Sequence, residues 1–225
     1  MESTTECILW DWNGTLLDDT AACLEGINRL LIRRDLPSLD LDRYRDIFTF
    51  PVIEYYRAAG FDFSKEPFEI PALEFINEYH RLLPGAPLFN DVERVLSALQ
   101  ARRCRQFILS AMEQQALLES VDKRGIRGYF EGIYGIGNHL AFSKMQRGRE
   151  LLRENDIYPD RSLLIGDTLH DRQVAHELGL EAILVSRGHQ SRSRLVNGMD
   201  RVFGNLLEVM EYLLQGTHRN HPGPQ

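Results

Sequence analysis

The chain has 225 residues, of which 43% are hydrophobic, and its 26 basic and 33 acidic residues give a formal net charge of -7. A chain of this length can bury a sizeable core, either as one α/β domain with an insertion or as two small domains. The acidic balance argues against nucleic acid as the main partner, because nucleic acid needs a basic footprint, but it is compatible with one small phosphorylated ligand in a local pocket.

The first predicted element is a strand over residues 7–10, which form a short apolar run. This run ends abruptly at the sequence Asp11-Trp12-Asn13-Gly14-Thr15. A short apolar run followed by turn-forming residues is typical of a buried strand that leads into a turn.

Residues 20–83 are predicted to be helical, because apolar residues recur there at helical spacing. Leu24, Ile27, Leu30 and Leu31 show this spacing in the first part of the segment. Prolines that punctuate the helical pattern are Pro37, Pro51, Pro67 and Pro71. No strand is predicted in this segment.

From residue 92 onward, predicted helices and strands alternate. The predicted strands are 106–109, 132–135, 162–165, 182–185 and 202–203. The predicted helices are 92–99, 114–121, 143–154 with Ser143 as its N-cap, 171–178 and 206–214. Such alternation implies a parallel sheet that is covered by helices on both faces.

These elements predict an α/β fold with a Rossmann-like parallel sheet core and an inserted α-helical cap domain. The predicted core comprises residues 1–18 and 86–216, and the predicted cap comprises residues 19–85. Residues 217–225 are rich in His, Pro and Gly, and we expect them to form a disordered tail.

Candidate site residues follow the predicted strands, and in a sheet of this kind ligands bind beyond the carboxyl ends of the strands. Asp11 follows the first strand, Ser110 follows strand 106–109, and Asp167 and Asp171 follow strand 162–165. Lys144 lies at the start of helix 143–154. We therefore expect carboxylates, a hydroxyl and a lysine to converge at one edge of the sheet.

Oxygen ligands of this kind suit Mg²⁺ rather than zinc. Mg²⁺ would offset the repulsion between the carboxylates and a phosphate dianion. A carboxylate could then attack phosphorus and form an aspartyl phosphate.

Four sequence motifs, in order, resemble those of the haloacid dehalogenase superfamily, in the phosphoglycolate-phosphatase-like branch with an inserted helical cap. The motifs are Asp11-Trp12-Asn13-Gly14-Thr15-Leu16, Ser110, Lys144 and Gly166-Asp167-Thr168-Leu169-His170-Asp171. The resemblance covers nearly the whole chain. It implies a magnesium-dependent hydrolase that cleaves a small phosphate monoester through an aspartyl-phosphate intermediate.

The same resemblance implies roles for individual residues. Asp11 would be the nucleophile, and its carboxylate would hold Mg²⁺ together with the Asn13 carbonyl and Asp167. Asp171 would support the metal shell, directly or through water.

Three further side chains have implied roles at the phosphate. Ser110 and Thr15 would bind the phosphoryl oxygens. Lys144 would neutralise charge on the phosphate and on the nucleophile.

Asn13 departs from the pattern of the family, whose phosphatases usually carry a second aspartate two residues after the nucleophile. That aspartate protonates the leaving group and later activates water, and an amide cannot transfer protons in this way. Loss of one acid–base group removes a factor of about 10²–10⁴ in rate. Slow turnover, an acidic leaving group and a different acid–base residue therefore stay open. A weak or inactive phosphate-binding protein and a phosphotransferase or phosphomutase are the alternative functions.

Several nearby residues favour structural interpretations. Asp18 and Asp19 are interpreted as caps of the first helix of the insert, and His170 as an incidental loop residue. The aromatic cluster is interpreted as core of the cap rather than as a substrate box; it comprises Tyr44, Phe48, Phe50, Tyr55 and Tyr56. The segment 187–189 is interpreted as a surface loop or as the rim of the site.

The three cysteines are odd in number, far apart and without CxxC spacing. This favours a reduced, cytoplasmic protein with buried thiols. Neither a signal peptide nor an apolar run of membrane-spanning length is recognised, so no membrane partner is expected. The expected partner is a small phosphorylated metabolite, and the protein is expected to be a monomer or a homodimer.

Overall fold

The computed structural model describes residues 5–137, 144–197 and 201–215. Within these residues, six strands form one parallel sheet in the order β3-β2-β1-β4-β5-β6. The strands are β1 Cys7–Trp10, β2 Arg105–Glu113, β3 Gly132–Ile136, β4 Ser162–Gly166, β5 Glu181–Val185 and β6 Val202–Phe203. This strand order is that of a Rossmann-like fold, so the predicted fold class is confirmed.

Four helices follow β1 within residues 20–82 and form what we call the helical insert. They are α1 Thr20–Ile32, α2 Leu41–Ile47, α3 Val52–Ala59 and α4 Glu69–Leu82. The insert has a hydrophobic cluster of its own, in which Leu30, Tyr44 and Tyr56 are almost completely buried. The division of the chain at residues 19 and 85 into core and cap stays a prediction.

The remaining helices cover the sheet. They are α5 Val92–Ala101, α6 Gln114–Lys123, α7 Lys144–Glu154, α8 Leu169–Leu178, α9 Arg192–Leu195 and α10 Leu206–Leu214. Short 3₁₀ helices occur at Leu83–Gly85, Arg127–Tyr129 and Pro159–Arg161.

The alternation of side chains along β1 explains why helices cover both faces of the sheet. Ile8 and Trp10 belong to the cluster that includes residues of α5, α6 and α10, whereas Leu9 belongs to the cluster that includes residues of α7 and α8. Successive side chains of a strand point to opposite faces. Because each fully buried apolar side chain contributes about 1.5–3 kcal/mol, the all-apolar strand β1 is stable only in the middle of a covered sheet.

The extent of β2 differs from the sequence-based expectation. Strand β2 does not end before Ser110 but continues to Glu113, with a shift of register against β3 between Leu109 and Glu113. Ser110 and Glu113 of this continuation are polar, whereas Ala111 and Met112 between them are not. Helix α7 is described from Lys144, so the predicted cap Ser143 and the predicted tail 217–225 lie outside the described residues. None of the described helices is long and apolar enough to span a membrane.

Candidate active site

The carboxyl ends of the two central strands bring the first site residues together. Trp10 of β1 lies opposite Ile165 of β4, and the Asp11 amide donates to the Ile165 carbonyl at 2.8 Å. Asp11 and Asp167 therefore follow neighbouring strands at the same edge of the sheet, Asp11 directly after this pair and Asp167 after the intervening Gly166. Both side chains are buried, as is Asp171 in the first turn of α8.

A tight loop after β1 shapes the floor of the site. The Trp12 carbonyl accepts from the amides of Leu16 and Leu17 at 3.0 and 2.9 Å. Gly14 has a φ of +71°, and a Cβ atom there would lie 2.3 Å from Asp167 Oδ2. Glycine is therefore required for both the conformation and the close approach. The loop places Thr15 Oγ1 within 3.2 Å of Asp11 Oδ2.

Three carboxylates form a compact acidic cluster at this edge. One oxygen of each of Asp11, Asp167 and Asp171 lies within 4.8 Å of the others. Burial raises the pKa of Asp11 to about 6, although Lys144 acts in the opposite direction. Burial, together with the charges of Asp11 and Asp171, raises the pKa of Asp167 to about 8. The cluster is therefore costly to ionise without additional positive charge.

Lys144 supplies part of this positive charge. It lies at the start of α7 and is only 4% exposed, so it is not a solvated surface lysine. Its Nζ donates to Asp171 Oδ1 at 2.5 Å and also to Asp11. Burial alone would lower the pKa of this ammonium, but Asp11 and Asp171 raise it above its usual range.

Asp171 has a second structural task. Its Oδ2 accepts from the amide and the hydroxyl of Thr168 at 3.0 and 2.6 Å, which closes a capping box at the start of α8. Burial would raise the pKa of Asp171, but Lys144 and the Thr168 hydrogen bond hold it below its usual value. Asp171 is thus a helix cap and an ion-pair partner of Lys144 at once.

The two predicted phosphate-binding hydroxyls are both buried. Thr15 contacts Asp11 and lies 3.5 Å from Asp167 Oδ1. Ser110 lies in β2, and its Oγ accepts from the Met112 amide at 3.0 Å. The neighbouring residues Ala111 and Met112 line a cavity at this edge of the sheet. Phosphate binding by Thr15 and Ser110 stays a prediction.

Asp19 is a site residue that the sequence analysis interpreted differently. It occupies the N-cap position of α1, but its side chain makes no capping hydrogen bond there. Its carboxylate instead accepts from the Gly14 amide at 2.9 Å, Asn13 Nδ2 at 2.8 Å and the Tyr79 hydroxyl at 2.8 Å. Burial would raise the pKa of Asp19, but His189 and these donors lower it. The interpretation of Asp19 as a helix cap was wrong in this respect.

His189 is the second such residue, since it lies in the segment interpreted as a surface loop or rim. The side chain is only 4% exposed, and its Nε2 lies 3.3 Å from Asp19 Oδ1. Its Nδ1 lies 2.8 Å from the Tyr44 hydroxyl of the insert, and its backbone amide donates to Asp167 Oδ2 at 2.5 Å. Although burial alone would lower it, Asp19 raises the pKa of His189 to about 9.

A signal for His189 was present in the sequence. The segment 187–189 follows β5, so it lies at the same edge of the sheet as the residues after β1 and β4. Only tertiary packing, however, shows that this histidine turns inward and meets Asp19.

A cavity of about 620 Å³ opens from the acidic cluster into the helical insert. Tyr44, Tyr55 and Tyr56 are buried in the core of the insert, as expected, but they also line this cavity. Half-buried Phe48 and Phe50 line it too. The aromatic cluster is therefore core and cavity wall together.

His170 was wrongly interpreted as a loop residue. It is the second residue of α8 and lines the cavity. Its ring stacks on Phe50 with the ring centres 4.6 Å apart.

The donor set fits a hard divalent cation. One lysine can neutralise only one of the three clustered carboxylates, so additional positive charge would stabilise the cluster. The ligand atoms that the carboxylates offer are all oxygens, which such a cation prefers. Glycines leave no side-chain bulk beside Asp167: a Cβ at Gly188 would lie 2.0 Å from Asp167 Oδ2, and one at Gly14 would lie 2.3 Å from it.

Comparisons with known proteins identify one family. A profile of the family described as "Haloacid dehalogenase-like hydrolase" matches residues 8–185. A phosphoglycolate phosphatase of Caulobacter vibrioides is 27% identical over 214 residues, which cover 90% of this chain and 88% of that protein. A 5'-nucleotidase of Pseudomonas aeruginosa is 25% identical over 195 residues, which cover 84% of this chain and 86% of that protein.

A solved structure supports the fold. A haloacid dehalogenase-like hydrolase from Streptococcus pneumoniae matches with a TM-score of 0.81 and 23% identity, covering 94% of this chain and 99% of that chain. At this level of identity, the likeness concerns the fold alone.

Proposed function

Because the chain belongs to the haloacid dehalogenase-like hydrolase family, we propose that it is a phosphatase that hydrolyses small phosphate monoesters on Asp11 with Mg²⁺ as its cofactor. The relatives named above are a phosphoglycolate phosphatase and a 5'-nucleotidase, and both names denote enzymes that act on phosphate esters. The expected partner is thus a small phosphorylated metabolite.

One observation carries the proposal. The buried Asp11 carboxylate, at the end of the central strand, is paired with the buried Lys144 ammonium beside two further carboxylates. A buried carboxylate with a cation on one oxygen can keep its charge and present its other oxygen to an electrophile. The same cation can stabilise the negative charge of an incoming phosphate.

The reaction has two steps. In the first, an Asp11 oxygen attacks phosphorus, and the bond between phosphorus and the ester oxygen breaks. The ester oxygen leaves with the electron pair of that bond and takes a proton from water to become the alcohol. In the second, a water oxygen attacks phosphorus, the bond to Asp11 breaks, and inorganic phosphate is released. The Lys144 ammonium would stabilise the negative charge of Asp11 and of the phosphoryl group. The hydroxyls of Thr15 and Ser110 would donate hydrogen bonds to the phosphoryl oxygens.

The carboxylates of Asp11 and Asp167 would hold Mg²⁺, with the Asn13 carbonyl and with Asp171 directly or through water. Bound Mg²⁺ supplies positive charge that offsets the repulsion between these carboxylates and the phosphate. The acidic, oxygen-only donor set supports magnesium over zinc.

The helical insert would shut the site. Its residues Tyr44 and Tyr79 contact His189 and Asn13 of the core. We infer that residues 19–85 act as a cap on a core of residues 1–18 and 86–216, and that closure of this cap excludes water from the reacting phosphate.

The alternatives depend on Asn13, which cannot transfer a proton. A chain that binds phosphate but has lost turnover would release no phosphate from any ester. A phosphotransferase or phosphomutase would pass the phosphate from Asp11 to an added alcohol instead of to water.

Phosphate release from p-nitrophenyl phosphate, with and without Mg²⁺, tests the proposal. The expected result is magnesium-dependent release that continues beyond one phosphate per protein. Asp167→Ala should sharply weaken the magnesium dependence, and a titration that shows unchanged metal affinity would remove Asp167 from the metal shell. Absence of release in all conditions, or transfer only to an added alcohol, would contradict hydrolysis.

A further inference from the structure

Much of the wall of the cavity is apolar. We call this apolar part the aromatic chamber and define it by Phe48, Phe50, Val52, Phe75, Ile76 and Met112, all of which are half-buried. A cavity of about 620 Å³ accommodates a ligand of several ring-sized groups and far exceeds a two-carbon acid such as glycolate. The chamber therefore offers aromatic and aliphatic surface to the leaving group of the phosphate ester.

Among the described residues, no lysine or arginine other than the ion-paired Lys144 lines the cavity. Of the described residues that line the cavity, the basic ones are Lys144, His80, His170 and His189. The Lys144 ammonium is bound to two aspartates, and His189 faces Asp19. His170 stacks on Phe50, and His80 is exposed.

Arg45 and Arg187, which contact the loops of the site, are engaged by other groups. Arg45 donates to the carbonyls of Gly188 and Arg187 at 2.9 and 2.8 Å. Arg187 donates to the Thr15 carbonyl at 2.8 Å and to Asp91 at 2.6 Å. A second carboxylate on the substrate would therefore meet no arginine and no free lysine among the described lining residues. Only weaker partners, such as the unpaired Tyr55 hydroxyl or a histidine, could contact it, which disfavours a charged leaving group.

Asn13 restricts the leaving group independently. Asn13 Nδ2 donates two hydrogen bonds, one to Asp19 Oδ2 at 2.8 Å and one to the Tyr79 hydroxyl at 2.6 Å. An amide cannot donate a proton to a departing oxygen. A leaving group that departs readily without protonation is one whose anion is stable, and a phenolate is much more stable than an alkoxide.

Both observations point to the same substrate class, and we propose that this protein is selective for aryl phosphate monoesters whose uncharged ring occupies the aromatic chamber. This proposal rests on the proposed function. In the first step the bond between phosphorus and Asp11 forms as the bond to the phenolic oxygen breaks. The phenolate leaves with the electron pair of that bond and takes its proton from water. Water then releases phosphate from Asp11, so the overall reaction converts the ester and water into a phenol and phosphate.

The leaving-group experiment compares kcat/KM, in the presence of Mg²⁺, for phenyl phosphate, p-nitrophenyl phosphate, phosphoglycolate and a nucleoside 5'-monophosphate. We expect both aryl esters to exceed the two alkyl esters by about 10²-fold or more, the scale of one missing proton donor. We also expect kcat/KM to rise steeply across substituted phenyl phosphates as the phenol becomes more acidic. Equal or higher values for phosphoglycolate or the nucleotide would overturn the aryl proposal.

A ring-deletion variant tests the chamber. Phe50→Leu keeps an apolar side chain but removes the ring, and it should raise KM for phenyl phosphate about three- to tenfold with little change in kcat. Phe63→Leu is the matched control, because Phe63 is equally half-buried and packs in the core of the insert without lining the cavity. Equal effects of the two variants on KM would show that the ring of Phe50 does not contact substrate, and would overturn the chamber assignment.

The two proposals fail in different ways. If no ester releases phosphate in a magnesium-dependent manner, the proposed function fails, and the aryl proposal fails with it. If phosphate is released but alkyl esters are preferred, the proposed function stands and only the aryl proposal is overturned.

Discussion

Asn13 and Asp19 are joined by a hydrogen bond of 2.8 Å from the Asn13 side-chain amide to Asp19 Oδ2. Asp19 is 1% exposed and already accepts from the Gly14 amide and the Tyr79 hydroxyl. The buried Asp19 carboxylate is stabilised by hydrogen-bond donors, so a donor at position 13 stabilises it further, whereas a second carboxylate there would repel it. The amide at the position of the family's usual acid–base aspartate is therefore matched to its surroundings, because an aspartate there would face Asp19 at contact distance.

Asn13→Asp is expected to raise turnover on an alkyl phosphate by up to about 10²-fold, because a carboxylic acid can protonate a poor leaving group. The nearby Asp19 carboxylate should raise the pKa of the new carboxyl, so the gain should persist to high pH. In the double variant Asn13→Asp/Asp19→Asn, this repulsion is removed, and the gain should disappear at lower pH than in the single variant. The measurement is kcat against pH for an alkyl and an aryl phosphate.

Asp19→Asn alone is the control for this pair, since it changes the charge without adding an acid. The Asn13-Gly14 sequence is prone to deamidation, so mass spectrometry of the peptide must show that wild-type samples contain negligible aspartate. If Asn13→Asp changes neither substrate in such samples, proton transfer at this site does not depend on residue 13.

Gly188→Ala is expected to weaken Mg²⁺ binding about 10- to 100-fold, the effect of disturbing a group that orients a metal ligand. A Cβ atom at this position would lie 2.0 Å from Asp167 Oδ2 and 2.5 Å from the Gly14 carbonyl, so the Asp167 carboxylate must move. Calorimetric titration with Mg²⁺ measures the affinity without relying on turnover.

Gly128→Ala is the matched control for the glycine variant, because a Cβ there would meet nothing within 4 Å. It should bind Mg²⁺ as the wild type does. Unchanged affinity in Gly188→Ala would mean that Asp167 does not hold the metal in its present position.

Lys144→Met should reduce turnover by at least about 10²-fold, because it removes the cation beside the attacking carboxylate. Removal of one partner of a buried ion pair also costs about 3–5 kcal/mol, so the free energy of unfolding of the metal-free variant should fall. Added Mg²⁺ should restore part of this loss, since it supplies positive charge to the same cluster. Denaturant unfolding with and without Mg²⁺ measures both effects.

Lys123→Met offers the comparison for Lys144, because Lys123 is exposed and donates to the Pro84 carbonyl. We expect it to keep wild-type turnover and stability. If Lys144→Met behaved in the same way, the ammonium would have no part in catalysis.

The fold could be predicted from the sequence because its signals are local. Apolar runs such as Cys7–Trp10 and Ser162–Gly166 alternate with helical periodicity, and that alternation permits few arrangements other than a covered parallel sheet. The end of β2 was not predictable in the same way. Beyond Leu109 the strand continues through Ser110, and only its pairing with β3 shows this.

The candidate site was predictable only where residues follow strands in recognisable motifs. Asp11, Asp167, Asp171 and Lys144 do so, and the structure brings them together. The contacts of Asp19, Tyr79 and His189 arise where the insert packs on the core, between residues far apart in the chain. No local pattern encodes such contacts, and the apolar character of the chamber follows from the same packing.

The phosphorylation state of Asp11 during turnover tests the central claim most directly. Wild-type protein is mixed with p-nitrophenyl phosphate and Mg²⁺, quenched in acid at successive times, reduced with borohydride and digested for mass spectrometry. Because Asn13 provides no base for the second step, we predict a burst of p-nitrophenol, an acyl phosphate on Asp11 during the burst, and its absence from folded Asp11→Asn protein. Steady wild-type turnover with unmodified Asp11, or full turnover by Asp11→Asn, would contradict the account.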